Sequence, residues 1–343
     1  MPEAGPRVRV SRAGILFPAL IASLLLLSLF ALGAGEYPVA PGAVLGALFP
    51  GAFPALIPDE TAETVVTAVR LPRVLLAVFA GSGLAAAGAA FQAIFRNPLA
   101  TPDTLGVATG SSFGAVLAIL FGAGAAGIQA SALLFGLAAV ALVWGVSRVP
   151  GSNRVLMIIL SGLVVGAFFS SLVALVKFAA DPQDILPSIT FWLMGSLAGA
   201  SSGMLAAGLP LVAIGTAVLF LYRWKLDLLS LPDEEAASLG AAVLRIRGTV
   251  ILASTLVTAA VVSLCGLVGW VGLLVPHAAR MAFGSSNRAV MPASILLGAI
   301  FLLAVDTASR CLSASEIPIS ILTSVVGAPA FIFLLRRTGG VRA

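Results

Sequence analysis

Few residues in this sequence could do chemistry, and none is arranged for covalent catalysis. An acidic run, Asp233-Glu234-Glu235, lies between Ser230 and Gly240. Ser230, three residues ahead of Asp233, reads as the start of a short helix and Gly240 as its end; acids in its first turn suit the helix dipole. Such a helix is either a plain connector or a knob for a partner. Arg70-Leu-Pro-Arg73 and the distant Arg310 offer guanidinium groups suited to carboxylates or to anchoring. His277 is the only histidine and follows Pro276, which points to capping or packing rather than to a metal. Cys265 and Cys311 read as small buried side chains, with a disulfide between them conceivable. No phosphate loop of the form GxxxxGK[ST] occurs, and no HExxH, CxxC or GxSxG. The expectation is a chain that is not an enzyme and needs no cofactor or metal.

The surroundings of these residues decide their setting. Of 343 residues, 60% are hydrophobic and 10% charged, and the mean hydropathy is +1.12. Soluble domains carry roughly 25% charge. So few charges cannot clothe a soluble surface of this size, so the chain reads as an all-α polytopic membrane protein. Continuously apolar runs without period-two alternation favour helices over a barrel. We expect about ten transmembrane helices, near residues 14–32, 74–95, 105–121, 127–146, 155–178, 203–222, 248–266, 267–281, 291–307 and 317–335. No charge occurs between Arg247 and Arg280, and the Gly266-Leu-Val-Gly269 stretch is where that long run should turn.

Ten spans place both termini in the cytoplasm. Fifteen basic residues then fall inside, from Arg7, Arg9 and Arg12 to Arg336, Arg337 and Arg342. Only Arg70, Arg73, Lys177 and Arg310 fall outside, as the positive-inside rule demands. This explains a pI near 10.0 without nucleic acid as a partner; the partner is the lipid bilayer. The first apolar run reads as an uncleaved helix rather than a signal peptide. The outer segment 33–69 holds five prolines and cannot be one regular helix. Residues 226–246 form the large inner loop, all within one membrane domain spanning 1–343. The spans are nearly free of charge, and Asp306 and Lys177 sit near outer ends where they can reach water, so no ion relay is expected. A moving bundle without one draws its energy from another subunit. The small-residue spacings Gly106-Gly110-Gly114 and Gly162-Gly166 suit helix packing, or a sliding or pathway-lining face.

At these residues the chain resembles the permease subunit of FecCD-type, binding-protein-dependent ABC importers for iron-siderophores, haem and cobalamin. The resemblance runs from about residue 14 to 337. It is carried by Arg70-Leu-Pro-Arg73, Phe95-Arg-Asn-Pro-Leu-Ala100, Leu105-Gly-Val, Phe191-Trp-Leu-Met-Gly-Ser-Leu197, Asp233-Glu-Glu-Ala-Ala-Ser-Leu-Gly240, Val271-Gly-Leu-Leu-Val-Pro-His277 and Gly327-Ala-Pro329. It implies a type II ABC importer permease fold in the bacterial inner membrane. It also implies a homodimer with the path on its axis, two cytoplasmic ATP-binding cassette subunits that hydrolyse ATP, and one periplasmic binding protein. By the same resemblance Arg70, Arg73 and Arg310 dock that protein. Asp233, Glu234, Glu235, Ala236, Leu239 and Gly240 enter the ATPase cleft. Asn97, Pro98 and Leu99 lie near the inner gate, and the fifth span, with Ser161, Gly162 and Gly166, lines the path. Pro232 departs from the family's frequent Gly and stiffens the approach to the acidic helix. Alternating access driven by ATP follows, with ferric siderophore the first cargo, haem second and cobalamin third; a small oxyanion such as molybdate fits distant members. The other reading is a passive channel or structural membrane protein, against which the acidic inner helix speaks. An intramembrane enzyme would want paired carboxylates or a Ser–His pair within the spans, and none is seen.

Overall fold

The computed structural model describes residues 12–148, 154–229, 231–313 and 315–337. Arg7, Arg9, Arg342 and the expected cap Ser230 lie outside the described residues. The chain forms α1 (Arg12–Gly33), α2 (Pro41–Leu48), α3 (Glu60–Thr64), α4 (Leu71–Ile94), α5 (Val107–Leu120), α6 (Ala125–Val146) and α7 (Arg154–Ala179). There follow α8 (Ile185–Leu193), α9 (Ser202–Leu228), α10 (Asp233–Ser238), α11 (Val243–Cys265), α12 (Val271–Phe283), α13 (Asn287–Leu312) and α14 (Ile319–Arg337). No strand occurs among the described residues. Seven helical runs are long and apolar enough to cross a membrane, and α5, α12 and α14 are shorter apolar helices. Each of the ten expected segments coincides with one of these.

The chain departs from expectation in three ways. The second span starts earlier: α3 runs through a π-helical turn, Val65–Arg70, into α4, giving one helical run Glu60–Ile94. Pro72 does not break it. It sits in the first turn of α4, where a missing N–H costs little, and the Leu71 N–H reaches back to the Val66 carbonyl through the π-turn. Second, α2 and α8, each too short to span, fold in the outer connections. Third, α9 continues past residue 222 because its cations lie along aromatic rings. The Arg223 guanidinium is 3.9 Å from the Phe220 ring and Lys225 Nζ is 4.5 Å from the Tyr222 ring. The long apolar run does turn at Gly266, whose φ of 72° suits a residue without Cβ.

Helices α4 and α11 form the centre: 78% of each spanning window is buried, against 11% for α1. Around α4 pack α9, α11, α12 and α13, while α5 packs against α6 and α7. Without a hydrophobic force between helices in lipid, close backbone approach supplies the cohesion. Gly81 of α4 crosses Gly298 of α13, and Gly88 of α4 crosses Gly272 of α12; a methyl at residue 88 would overlap the Gly272 carbonyl. Gly88→Val should therefore cost about 3 kcal/mol or more by overpacking. The check is the yield of monodisperse protein in mild detergent, with Gly199→Val, where added atoms meet open space, as a control that stays at the wild-type level.

Candidate functional site

The inner site is built on α10. Its expected capping box does not form: Pro232 is the N-cap, and the Asp233 carboxylate turns to the body of the protein instead. Arg247 of α11 grips it with both ends of its guanidinium, Nη1 to Oδ2 at 3.0 Å and Nη2 to Oδ1 at 3.0 Å. Arg96 adds a third bond, Nη2 to Oδ1 at 3.1 Å. Paired charge-assisted bonds of this kind fix orientation as well as position. The hydrogen bond from Arg247 also holds the Asp233 carboxyl below its ordinary range. Ala236 is fully buried beneath the helix. Gly240, at φ 82°, closes it: its N–H bonds to Ala237 and that of Ala241 to Ala236, a Schellman arrangement. Glu234, Glu235 and Leu239 are left exposed.

Arg96 joins this helix to the Asn97-Pro98-Leu99 turn. Its backbone sits at a φ of 49°, unusual for a residue with a Cβ. Further bonds hold it there, from Nε to the Leu229 carbonyl at 3.1 Å and from Nη2 to that of Leu231. Asn97 Oδ1 accepts the Leu99 N–H at 2.9 Å, and Asn97 and Leu99 are exposed. In the sequence Arg96 reads as an inner charge within the Phe95–Ala100 motif and Arg247 as an inner charge bounding the long apolar run, and neither is assigned to Asp233. The signal available was that Arg96 immediately precedes the Asn-Pro-Leu turn. Nearby, Asp227 at the end of α9 accepts the Asn287 N–H at 2.7 Å and so caps α13 from another helix.

At the outer face the structure brings Arg70, Arg73 and Arg310 together, but not as an open patch. All three are buried, with relative exposures of 6%, 7% and 9%. Arg70 donates to the carbonyls of Leu32, Gly33 and Tyr37, and Arg310 to those of Ala31 and Ala34. Two cations thus satisfy the bare C-terminal carbonyls of α1. Arg73 lies between Asp306, at 2.8 Å, and Glu316, at 2.6 Å. Asp306 does not reach water as expected: it is fully buried and also 3.6 Å from Arg310. The fold sets it between the guanidinium groups of Arg73 and Arg310, which balance its charge in the interior.

The fifth-span glycines pack, one of the two roles their spacing allows. Gly162 and Gly166 face the start of α5, with Gly106 (φ 69°) against the Gly166 backbone, so they pack rather than line open space. Ser161 is buried and its hydroxyl has no partner among the described residues. The exposed face of α7 is apolar instead, with Leu163, Val164, Phe168 and Phe178. His277 packs edge-on against Phe331 at 5.9 Å. Cys265 and Cys311 are both free, the first buried and the second exposed. Among the described residues no group of His, Cys, Asp and Glu could hold a metal ion.

A helical bundle with glycine-packed spans and an inner helix strapped to two of them is the design of a multi-pass transport permease of the cytoplasmic membrane. The chain belongs to the FecCD transport family, whose model matches residues 23–337. It is 40% identical over 319 residues to the molybdate import system permease protein MolB of Haemophilus influenzae, covering 92% of this chain and 94% of that one. It is 39% identical to a probable iron chelatin transport system permease protein of Helicobacter pylori, over 81% of this chain and 84% of that one. Among solved structures it matches an inward-facing metal-chelate type ABC transporter with a TM-score of 0.85 and 38% identity, covering 94% of this chain and 99% of the other.

Proposed function

We propose that two copies of this chain form the membrane path of a binding-protein-dependent importer that carries a metal chelate inward, ferric siderophore first and haem or cobalamin next. Two cytoplasmic ATP-binding subunits hydrolyse ATP and seat α10 in their clefts; a binding protein delivers cargo at the outer face. The observation that carries this reading is the strapping of α10. Its exposed acids are free for a partner, while Asp233 ties it to α11 through Arg247 and to the end of α4 through Arg96. Displacing α10 therefore pulls two spans at once, one of them beside Asn97-Pro98-Leu99, the proposed inner gate. The binding protein would dock on the rim that Arg70, Arg73 and Arg310 hold in shape, and the apolar face of α7 would meet the second copy or lipid. A second cargo, molybdate, is favoured by the likeness to the Haemophilus protein. The test is purification from native membranes in mild detergent, with mass spectrometry of whatever co-purifies, followed by uptake of a ferric chelate and of molybdate in proteoliposomes. A stoichiometric subunit with a phosphate loop is expected; a chain that purifies alone under several mild conditions returns the passive-channel reading.

A further inference from the structure

Between α4, α11 and the start of α12 lies a cavity of about 260 Å3. Its wall is largely apolar, with Leu84, Val262 and Trp270, but it also carries Thr101, Asp103 and Thr258. Asp103 is the one charged residue among the described residues that line it. It belongs to the 3-10 turn Pro102–Leu105, which sets back into the bundle between α4 and α5. Its side chain is exposed and has no hydrogen-bonding or ionic partner among the described residues. This separates it from Asp306, Asp233 and Asp227, each of which faces an arginine.

Two further features mark the same wall. The Thr258 hydroxyl is buried and has no partner among the described residues, although most buried hydroxyls find one. Trp270 stands at a φ of 69°, a costly backbone for a bulky residue, and its ring lies against Gly327, where any larger side chain would collide with it. A carboxylate with no counter-charge beside it, facing a cavity with largely apolar walls, is poorly screened on that side. In walls of low polarity its attraction for a positive charge is strengthened, and so is its repulsion of an anion. An indole ring adds to the attraction for cations.

We propose that this cavity is a cation-attracting station that takes a positively charged or amine-bearing metal chelate and turns away oxyanions. The proposal rests on the permease reading for its place on the substrate route, and it weighs against molybdate as the cargo. Its volume accommodates the charged portion of a chelate rather than a whole siderophore.

The test probes the charge of the cavity without any transport partner. Thr101→Cys is placed in the full chain with Cys265→Ala and Cys311→Ser. It is then labelled in detergent with two small methanethiosulfonates, one bearing a quaternary ammonium and one a sulfonate. Rates are divided by those for a small free thiol. The cationic reagent should be favoured by about tenfold or more, and Asp103→Asn should return the ratio to near one. Equal corrected rates, a preference unmoved by Asp103→Asn, or no labelling by either reagent would overturn the proposal. None of these outcomes depends on an ATPase, so the permease reading stands or falls separately by co-purification.

Discussion

Arg73→Ala should destabilise the purified chain by about 3–5 kcal/mol, the range for stripping one partner from a buried ion pair. Arg73 bonds to Asp306 and Glu316, and Asp306 has no exposure at all. Without Arg73 its closest remaining counter-charge is Arg310, at 3.6 Å. The damage comes chiefly from the stranded carboxylate, so Arg73→Ala combined with Asp306→Ala should recover most of the loss. Thermal unfolding in detergent, followed by size-exclusion chromatography, reads both variants. The same experiment separates two roles for this arginine. If Arg73→Ala melts like the wild type yet loses binding-protein-stimulated ATP hydrolysis, the charge serves docking directly and the internal clasp described above is unimportant.

The second large effect concerns α10. In a transporter reconstituted with its ATPase, Asp233→Ala should lower uptake per ATP hydrolysed by about tenfold or more, while hydrolysis itself continues. The substitution removes the two-pronged bond to Arg247, leaving a guanidinium only 3% exposed without its carboxylate. It also frees Arg96 from α10. The helix would still dock but would no longer drag α11 and the end of α4. An unchanged ratio of uptake to hydrolysis would sink this assignment. By contrast, replacing Glu234 and Glu235, which point to solvent, should weaken ATPase association in a salt-dependent way and leave that ratio intact. The pH dependence has a definite sign. The Asp233 carboxyl is held below its ordinary value, so its contribution is present above about pH 4 and is lost only as the pH falls through the lowered value. Coupling through this residue should therefore be flat from about pH 5 to 8.

Much of the architecture is legible from the chain because bilayer thickness, not long-range packing, decides where apolar runs become helices. The turn at Gly266 could be read for the same reason: an unbroken apolar run that exceeds one membrane crossing has to reverse. Where the reading misplaced an element, a local rule had been applied without its neighbours. The second span, expected from residue 74, begins earlier because the π-turn before Pro72 gives that proline a register in which it does no harm. Helix α8 has nine residues and a proline, so hydropathy alone gives no reason to expect it. In the inner site the acidic helix was visible from Asp233-Glu234-Glu235. Its fastenings were not, because Arg96 and Arg247 meet Asp233 from opposite directions along the chain. In the outer cluster, the types of residue were informative but their burial was not, since an arginine at a helix end serves water and carbonyls equally well. Asp103 escaped notice because it stands just outside an apolar run, where a charge reads as part of a loop. Only the fold brings that turn to the wall of a cavity.

The capping of α1 by Arg70 and Arg310 has a consequence for biosynthesis. Chains emerge from the ribosome in order, and α1 enters the membrane long before α13 has been made. Until then the carbonyls of Ala31 and Ala34 lack the donors that Arg310 later brings. The outer end of the earliest helix is thus completed by one of the latest, which makes closure of that contact a late step of insertion. A nascent chain arrested before residue 310 would display an unfinished helix terminus on the outer side, a surface by which a membrane quality-control protease could tell an incomplete permease from a finished one.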